Sequence, residues 1–310
     1  MEFDLIARIR SRADASRADV VLGIGDDAAL LAPAPGQHLV VAMDTLNAGV
    51  HFPAGTAPAA IGWKALAVNL SDLAAMGATP AWCTLSLSLP AGDDGFVDGF
   101  LDGFLALASA HGVALVGGDT TRGPLSACVT AHGFVAPGCA LRRAGADVGD
   151  DVWVSGTLGD AAAALAQWQA GDAIDPALRV RLERPMPRVA LGLALRGIAS
   201  ACIDVSDGLL ADLGHLCLAS GVGAEVEVDA LPASTALVAA FDAQARRGLQ
   251  ATGGDDYELC FSAPPARREA IAAMPGTTRI GRIVAGDGVR AMTSAGAPWQ
   301  PVHAGYQHFA

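Results

Sequence analysis

Along the first half of the chain, short runs of branched and apolar residues alternate with longer stretches whose apolar positions recur at helical spacing. ADVVLGIG, HLVVAMD, AWCTLSLSLP, VALVGGD and SACVTAHGFV, each bounded by Gly, Pro or Asp, predict strands. Between them, PAAIGWKALAVNLSDLAAMGA and GFVDGFLDGFLALASAHG keep a helical apolar period and end at glycine, predicting helices. A polar, Gly-rich and comparatively basic stretch at residues 137–151, PGCALRRAGADVGDD, reads as a linker. The alternation then restarts. VWVSG, SACIDVS, AEVEVD, YELCFSA and TRIGRIVA predict strands, and DAAAALAQWQA, PRVALGLALRGIA and DGLLADLGHLCLAS predict helices. The expected fold is α/β in two domains, residues 1–141 and 142–310.

Composition sharpens this. With 52% hydrophobic and 17% charged residues the chain can bury a large core, and its net charge of −12 argues against binding nucleic acid or an anionic membrane through a basic field. Lys64 is the only lysine. A polyanionic ligand would therefore meet few cations from the protein, which makes metal ions the expected source of positive charge. The six cysteines are scattered, without a C-x-x-C pair, and read as buried thiols of a reducing compartment. MEFDLIARIR has an acidic start and no uninterrupted apolar core, unlike a secretory signal, and the uncharged stretch from Leu73 to Gly92 is broken by Gly77 and Pro80. The expectation is a soluble cytoplasmic protein with no membrane or nucleic-acid partner.

The aspartates carry the candidate chemistry. Asp26 and Asp27 follow VVLGIG, Asp44 follows LVVAM, Asp119 follows VALVGG, and Asp204 and Asp207 lie in CIDVSDG. These are the predicted ends of strands, beyond which ligands gather in open α/β layers. Asp72 lies inside a predicted helix beside Asn69, on an otherwise apolar face, where a charge needs a partner. Each acid alone reads as well as a turn or cap residue: Asp207 as a cap before GLLADL, GDTT as a turn. Together they would repel one another unless cations lay between them, and hard oxygen donors suit Mg²⁺ bridging carboxylates to phosphates. GGDTTRG and VSGTLGD are Gly-rich turns whose backbone N–H groups could hold phosphate, the second at a helix start. A P-loop, the protein-kinase motif set, a G-x-S-x-G elbow, an H-E-x-x-H pair and Cys/His metal spacings are all absent from the sequence. GIGDDA lacks the third glycine of a dinucleotide loop and places acids where pyrophosphate would sit.

GIGDDAALL, MDTLNAGVHF, KALAVNLSDLAAMGATP, GGDTTRGPL, IDVSDGLLADLGHL and GGDDYELCF, in that order and followed by the terminal GYQHFA, resemble the thiamine-monophosphate kinase family. Its superfamily includes aminoimidazole ribonucleotide synthetase. The resemblance implies mixed α+β sheets and a homodimer whose N-terminal domains pair into a barrel-like sheet. It further implies several Mg²⁺ ions in a cleft between the two domains, ATP as co-substrate, and γ-phosphoryl transfer to thiamine monophosphate, giving thiamine diphosphate and ADP. Carried over by motif, Asp27, Asp44, Asp72, Asp119 and Asp204 are implied metal ligands, and Asp207 holds a further ion. Gly118, Asp119, Arg143 and Ser206 are implied to contact ATP. His51, Asp255 and Tyr306 are implied to contact the thiamine phosphate. Two positions depart from the family pattern: Met43 stands where Thr is usual, leaving only its backbone carbonyl as a ligand, and Asp255 where Glu is frequent.

A phosphate-monoester acceptor has a second pKa of about 6 and is largely dianionic at neutral pH. It needs no general base, so the implied reaction is direct in-line transfer without a phosphoenzyme. The rival readings are another ATP-using synthetase of the superfamily and a non-catalytic Mg-nucleotide-binding regulator. The arginines of RLERPMPRVALG, Arg181, Arg184 and Arg188, either line the site or cap a helix.

Overall fold

The computed structural model describes residues 2–13, 17–301 and 305. Tyr306 lies outside them. The chain divides into two compact units, Met1–Leu73 with Ala78–Gly138, and Ala74–Gly77 with Cys139–Ala310.

The first unit contains α1 (Glu2–Arg12), β1 (Val20–Leu22), β2 (Leu30–Leu31), β3 (His38–Asn47), α2 (Pro58–Ala75, whose last two residues belong to the second unit), β4 (Thr79–Leu89), α3 (Asp94–Ala110), β5 (Ala114–Arg122) and β6 (Ser126–Val135). Its main sheet has the order β3-β6-β4-β5, antiparallel except between β4 and β5. Period-two patterning is visible in β6, where Ala127, Val129 and Ala131 are buried and the residues between them are half-exposed. Helices α2 and α3 approach so closely that a Cβ on Gly103 would fall 1.7 Å from the Ala59 carbonyl oxygen, and one on Gly62 2.0 Å from that of Phe100. The α3 residues Phe100 and Phe104, one turn apart, stack with centroids 5.9 Å apart. Asp93 caps α3 by accepting the Phe96 N–H, and Arg8 and Arg12 of α1 reach Asp94, Asp98 and Asp102 along it. On β3, Leu39, Val41 and Met43 are exposed at 50%, 55% and 65%, as are Val21, Leu22 and Leu30 of the short β1–β2 pair.

The second unit contains β7 (Asp151–Ser155), α4 (Asp160–Ala170), α5 (Pro176–Glu183), α6 (Val189–Ala194), β8 (Ala201–Val205), α7 (Leu209–Ser220), β9 (Gly223–Glu227), α8 (Thr235–Ala240), α9 (Ala243–Thr252), β10 (Glu258–Ala263), α10 (Arg268–Ala272), β11 (Thr277–Val284), β12 (Gly288–Met292) and β13 (Pro298–Trp299). The seven strands run β13-β12-β9-β11-β7-β10-β8, antiparallel except between β9 and β12. Every residue of β7, β8 and β10 is buried, so these strands are covered on both faces. Val152, Val154, Ile203, Val205 and Cys260 pack with Leu209, Leu213 and Leu216 of α7, while Ala161, Leu178, Leu182 and Leu237 join α4, α5 and α8 in a second cluster.

The α/β architecture with mixed sheets matches the sequence reading, but the placement of the acids at strand ends does so only in part. Asp204 is the penultimate residue of β8, whereas Asp44 and Asp119 lie inside β3 and β5. Backbone ladders are indifferent to side-chain charge, and pairing carries β3 on through Asn47↔Ser126 and β5 through Arg122↔Leu89. GGDTTRG is consequently strand rather than turn. The helix expected over PRVALGLALRGIA shrinks to α6, which ends before Gly197 at φ +70°. All six cysteines are free thiols, with Cys83, Cys202, Cys217 and Cys260 buried. Among the described residues no helix is long and apolar enough to cross a membrane.

Candidate active site

In the first unit, α2 presents a row of polar side chains toward β3 and the loop after it. Asn69, fully buried, accepts the Asp44 backbone N–H (3.1 Å) and donates to the Ala65 carbonyl one turn back (3.0 Å). This bond fixes β3 against the helix, and the Asp44 and Asp72 carboxyls meet in hydrogen-bonding contact. Burial pushes the Asp44 carboxyl above the usual carboxylate range, opposed by its bond to Asp72 and by the nearby His51. Two hard oxygen donors forced together from a strand and a helix fit a divalent ion, which would relieve their mutual repulsion. Lys64, 2% exposed, donates from Nζ to the His51 carbonyl (2.9 Å), and the Asn47 N–H donates to His51 Nδ1 (2.9 Å).

The remaining implied ligands of this unit stand apart. Asp26 and Asp27 are both exposed, and Asp26 Oδ1 accepts the Asp27 N–H (2.9 Å), bracing their own turn. Asp119 accepts the following Thr120 N–H (2.9 Å) from the strand opposite β3 in the sheet order, three spacings or about 14 Å across. Gly118 has φ +151°, and a Cβ there would lie 1.8 Å from the Leu85 carbonyl oxygen, so only glycine fits. Met43, by strand alternation, points to the face opposite Asp44. Among the described residues no three His, Cys, Asp or Glu side chains converge as a metal-binding group.

In the second unit, β8 and β10 bring GGDDYEL against IDVSDG. The Asp255 N–H donates to the Ser206 carbonyl and the Tyr257 N–H to that of Val205, each at 2.8 Å, so Ser206, Asp207 and Asp255 share one end of the sheet. Asp255 (φ +67°) and Tyr257 (φ +50°) have left-handed backbones, which non-glycine residues hold only where the surroundings enforce them. The enforcing contacts are specific. Tyr257 donates its hydroxyl to Asp255 Oδ1 (2.9 Å), and both oxygens of the buried Asp256 accept the Gly159 N–H (2.9 Å). Burial pushes the Asp256 carboxyl well above the carboxylate range, against the pull of that N–H. The fully buried Glu258 accepts two bonds from Arg188 (2.6 and 2.5 Å), one from Arg181 (2.7 Å) and one from the Ser155 hydroxyl (2.5 Å). Arg181 and Arg188 therefore clamp a carboxylate.

Two expectations change here. The start of α4 in VSGTLGD, read as a phosphate cradle, receives the chain's own Asp256, because the segment leading into β10 delivers that carboxylate to the Gly159 N–H. Asp207 does not cap α7. Asp212, one turn inside the helix, turns back so that its Oδ2 accepts the Ser206, Asp207 and Gly208 N–H groups at 3.0, 3.1 and 3.1 Å. Burial, then the charges of Asp204 and Asp207, push the Asp212 carboxyl up to about 7. Arg143 is exposed, with its carbonyl accepting the Ser220 hydroxyl (3.0 Å). Sequence reasoning missed Asp212, Asp256, Glu258 and the burial of Lys64. Glu258 at the head of the apolar run ELCF was the available signal, since a charge in a fully buried strand must be paired.

Two family models match in sequence: AIR synthase related protein, N-terminal domain, over residues 25–135, and AIR synthase related protein, C-terminal domain, over residues 147–294. The class defined by this fold is that of the two-domain AIR synthase-related proteins. Within it, the thiamine-monophosphate kinase of Salmonella typhimurium is 47% identical over 319 residues, spanning 100% of this chain and 98% of that protein. The chain belongs to the thiamine-monophosphate kinase family. The crystal structure of the Stenotrophomonas maltophilia thiamine-monophosphate kinase is 55% identical, with a TM-score of 0.89 over 96% of this chain and 98% of that one. AaThiL complexed with AMPPCP and TMP is 33% identical, with a TM-score of 0.80 over 99% of this chain and 97% of that one.

Proposed function

We infer that the protein transfers the γ-phosphoryl group of ATP to thiamine monophosphate, giving thiamine diphosphate and ADP. The observation that carries this reading is the Asp44–Asp72 carboxyl pair beside His51, in a chain whose relative AaThiL is seen with AMPPCP and TMP. Asp44 and Asp72 would hold one Mg²⁺, and Asp27, Asp119, Asp204, Asp207 and the Met43 carbonyl would serve as ligands of the several ions the reaction uses. When bound, Mg²⁺ neutralises charge on the transferring phosphoryl group.

The chain's own groups bind and align. Gly118 and Asp119 contact ATP, and Arg143 and Ser206 add polar contacts. His51 and Asp255, with Tyr306, hold the thiamine phosphate. Asp255 is one methylene shorter than the Glu frequent in the family, and its contact is expected through water. The dianionic acceptor phosphate attacks directly, so no residue removes a proton. The exposed Leu39, Val41 and Met43 support a homodimer formed through the first unit, and the free thiols suit a cytoplasmic location.

The test is purified protein with ATP, Mg²⁺ and thiamine monophosphate, followed by chromatography. Thiamine diphosphate should accumulate in step with ADP. Nucleotide binding without that product would reject the assignment.

A further inference from the structure

The chain's only lysine is spent in its interior. An ammonium 2% exposed is costly unless its donors are used, and Lys64 donates from Nζ to the His51 carbonyl (2.9 Å). The loop it grips is already tightly closed. The His51 N–H donates to the Asn47 carbonyl (3.0 Å), the Gly49 N–H to that of Phe52 (3.1 Å), and Phe52 is buried at 6%. The Asn47 N–H donates to His51 Nδ1 (2.9 Å). A nitrogen that accepts an N–H cannot carry its own proton, so the neutral ring is the tautomer with hydrogen on Nε2. The main chain of His51 is thus fixed from below by α2, and its ring is turned by Asn47 to offer Nε2–H as a donor.

We propose that Lys64 is a positioning residue for the acceptor substrate: through the His51 carbonyl it sets the height and direction of the His51 Nε2–H, which donates to the phosphate of thiamine monophosphate. The proposal rests on the reading that His51 meets that substrate. An ammonium tolerates small changes of angle because it carries three rotatable donors, and from the rigid α2 it fixes the loop without occupying the site itself.

Steady-state kinetics on the full chain test it, with Lys64→Met, Lys64→Arg, His51→Ala and the double variant Lys64→Met/His51→Ala. Lys64→Met should raise the KM for thiamine monophosphate about tenfold while the KM for ATP stays within about twofold. Lys64→Arg, which keeps charged donors, should recover most of the loss. In the His51→Ala background, Lys64→Met should add less than about twofold, because the two act through one contact. Should Lys64→Met fail to fold, Lys64→Gln, whose amide stops one atom short, carries the same comparison. Equal increases in both KM values, or additive losses in the double variant, would show a merely structural lysine and overturn the proposal. If His51→Ala leaves the KM for thiamine monophosphate at the wild-type value, the substrate role of His51 falls and the role of Lys64 falls with it. A His51 effect without a Lys64 effect overturns the Lys64 role alone.

Discussion

Asp26 and Asp27 are adjacent, both exposed and chemically identical, yet their backbone partners differ. Asp26 spends one oxygen on the Asp27 N–H, a bond an asparagine can also accept. Asp26→Asn should therefore keep near-wild-type turnover, whereas Asp27→Asn should lose activity severalfold, most visibly at limiting Mg²⁺. Equal losses in assays of the two variants would contradict the division. Asp151 gives a stability counterpart. Burial raises its carboxyl pKa, but hydrogen bonds from and the charges of Arg268 and Arg279 outweigh that, and the net shift is downward. A carboxyl lowered in the folded state stabilises it above the ordinary aspartate value of about 3.9 and loses that contribution as pH falls through the folded value. Asp151→Asn should lower the urea midpoint at pH 7, with the gap to wild type closing as pH falls below the ordinary aspartate value. A gap independent of pH would exclude the ion pairs as its source.

At the scale of elements, the α2–α3 crossing depends on glycine. The helical period of GFVDGFLDGFLALASAHG predicts α3 nearly to its ends, since Asp94–Ala110 falls within one residue of the quoted stretch at its start and two at its finish. The same period cannot say which glycine meets the neighbouring helix. Only the crossing shows that a Cβ at Gly103 would collide with the Ala59 backbone, whereas one at Gly99 would meet only the Pro58 ring at 3.1 Å. Gly103→Ala should cost about 1–3 kcal/mol by denaturant unfolding, and Gly99→Ala clearly less. Strand elements were legible in composition but not in direction. GGDTTRG looked like a turn because it is rich in glycine and polar residues, and it is strand because β4 supplies a partner along its length.

For the whole molecule, the exposed apolar face of β3 is the feature most at odds with a solitary 31.2 kDa chain. Val41→Glu places a charge in the middle of that face. Sedimentation should show wild type at twice the chain mass and the variant at one, with secondary structure unchanged. A wild-type monomer would remove the dimer from the functional reading.

The sequence by itself determined the order and kind of most elements, the two-part organisation and the family, because periodicity and motifs are written in short windows that any one stretch carries alone. Its candidate ligands included Asp44 and Asp72, the acids that meet. Only the tertiary structure decided that they meet while Asp119 lies across the sheet, that Asp256 and Asp212 fill the helix starts, and that Arg181 and Arg188 close on Glu258. Glu258 and Arg188 are 70 residues apart in sequence. Contacts of that kind depend on strand register and on how the chain doubles back, and no local pattern of apolar and polar residues records either.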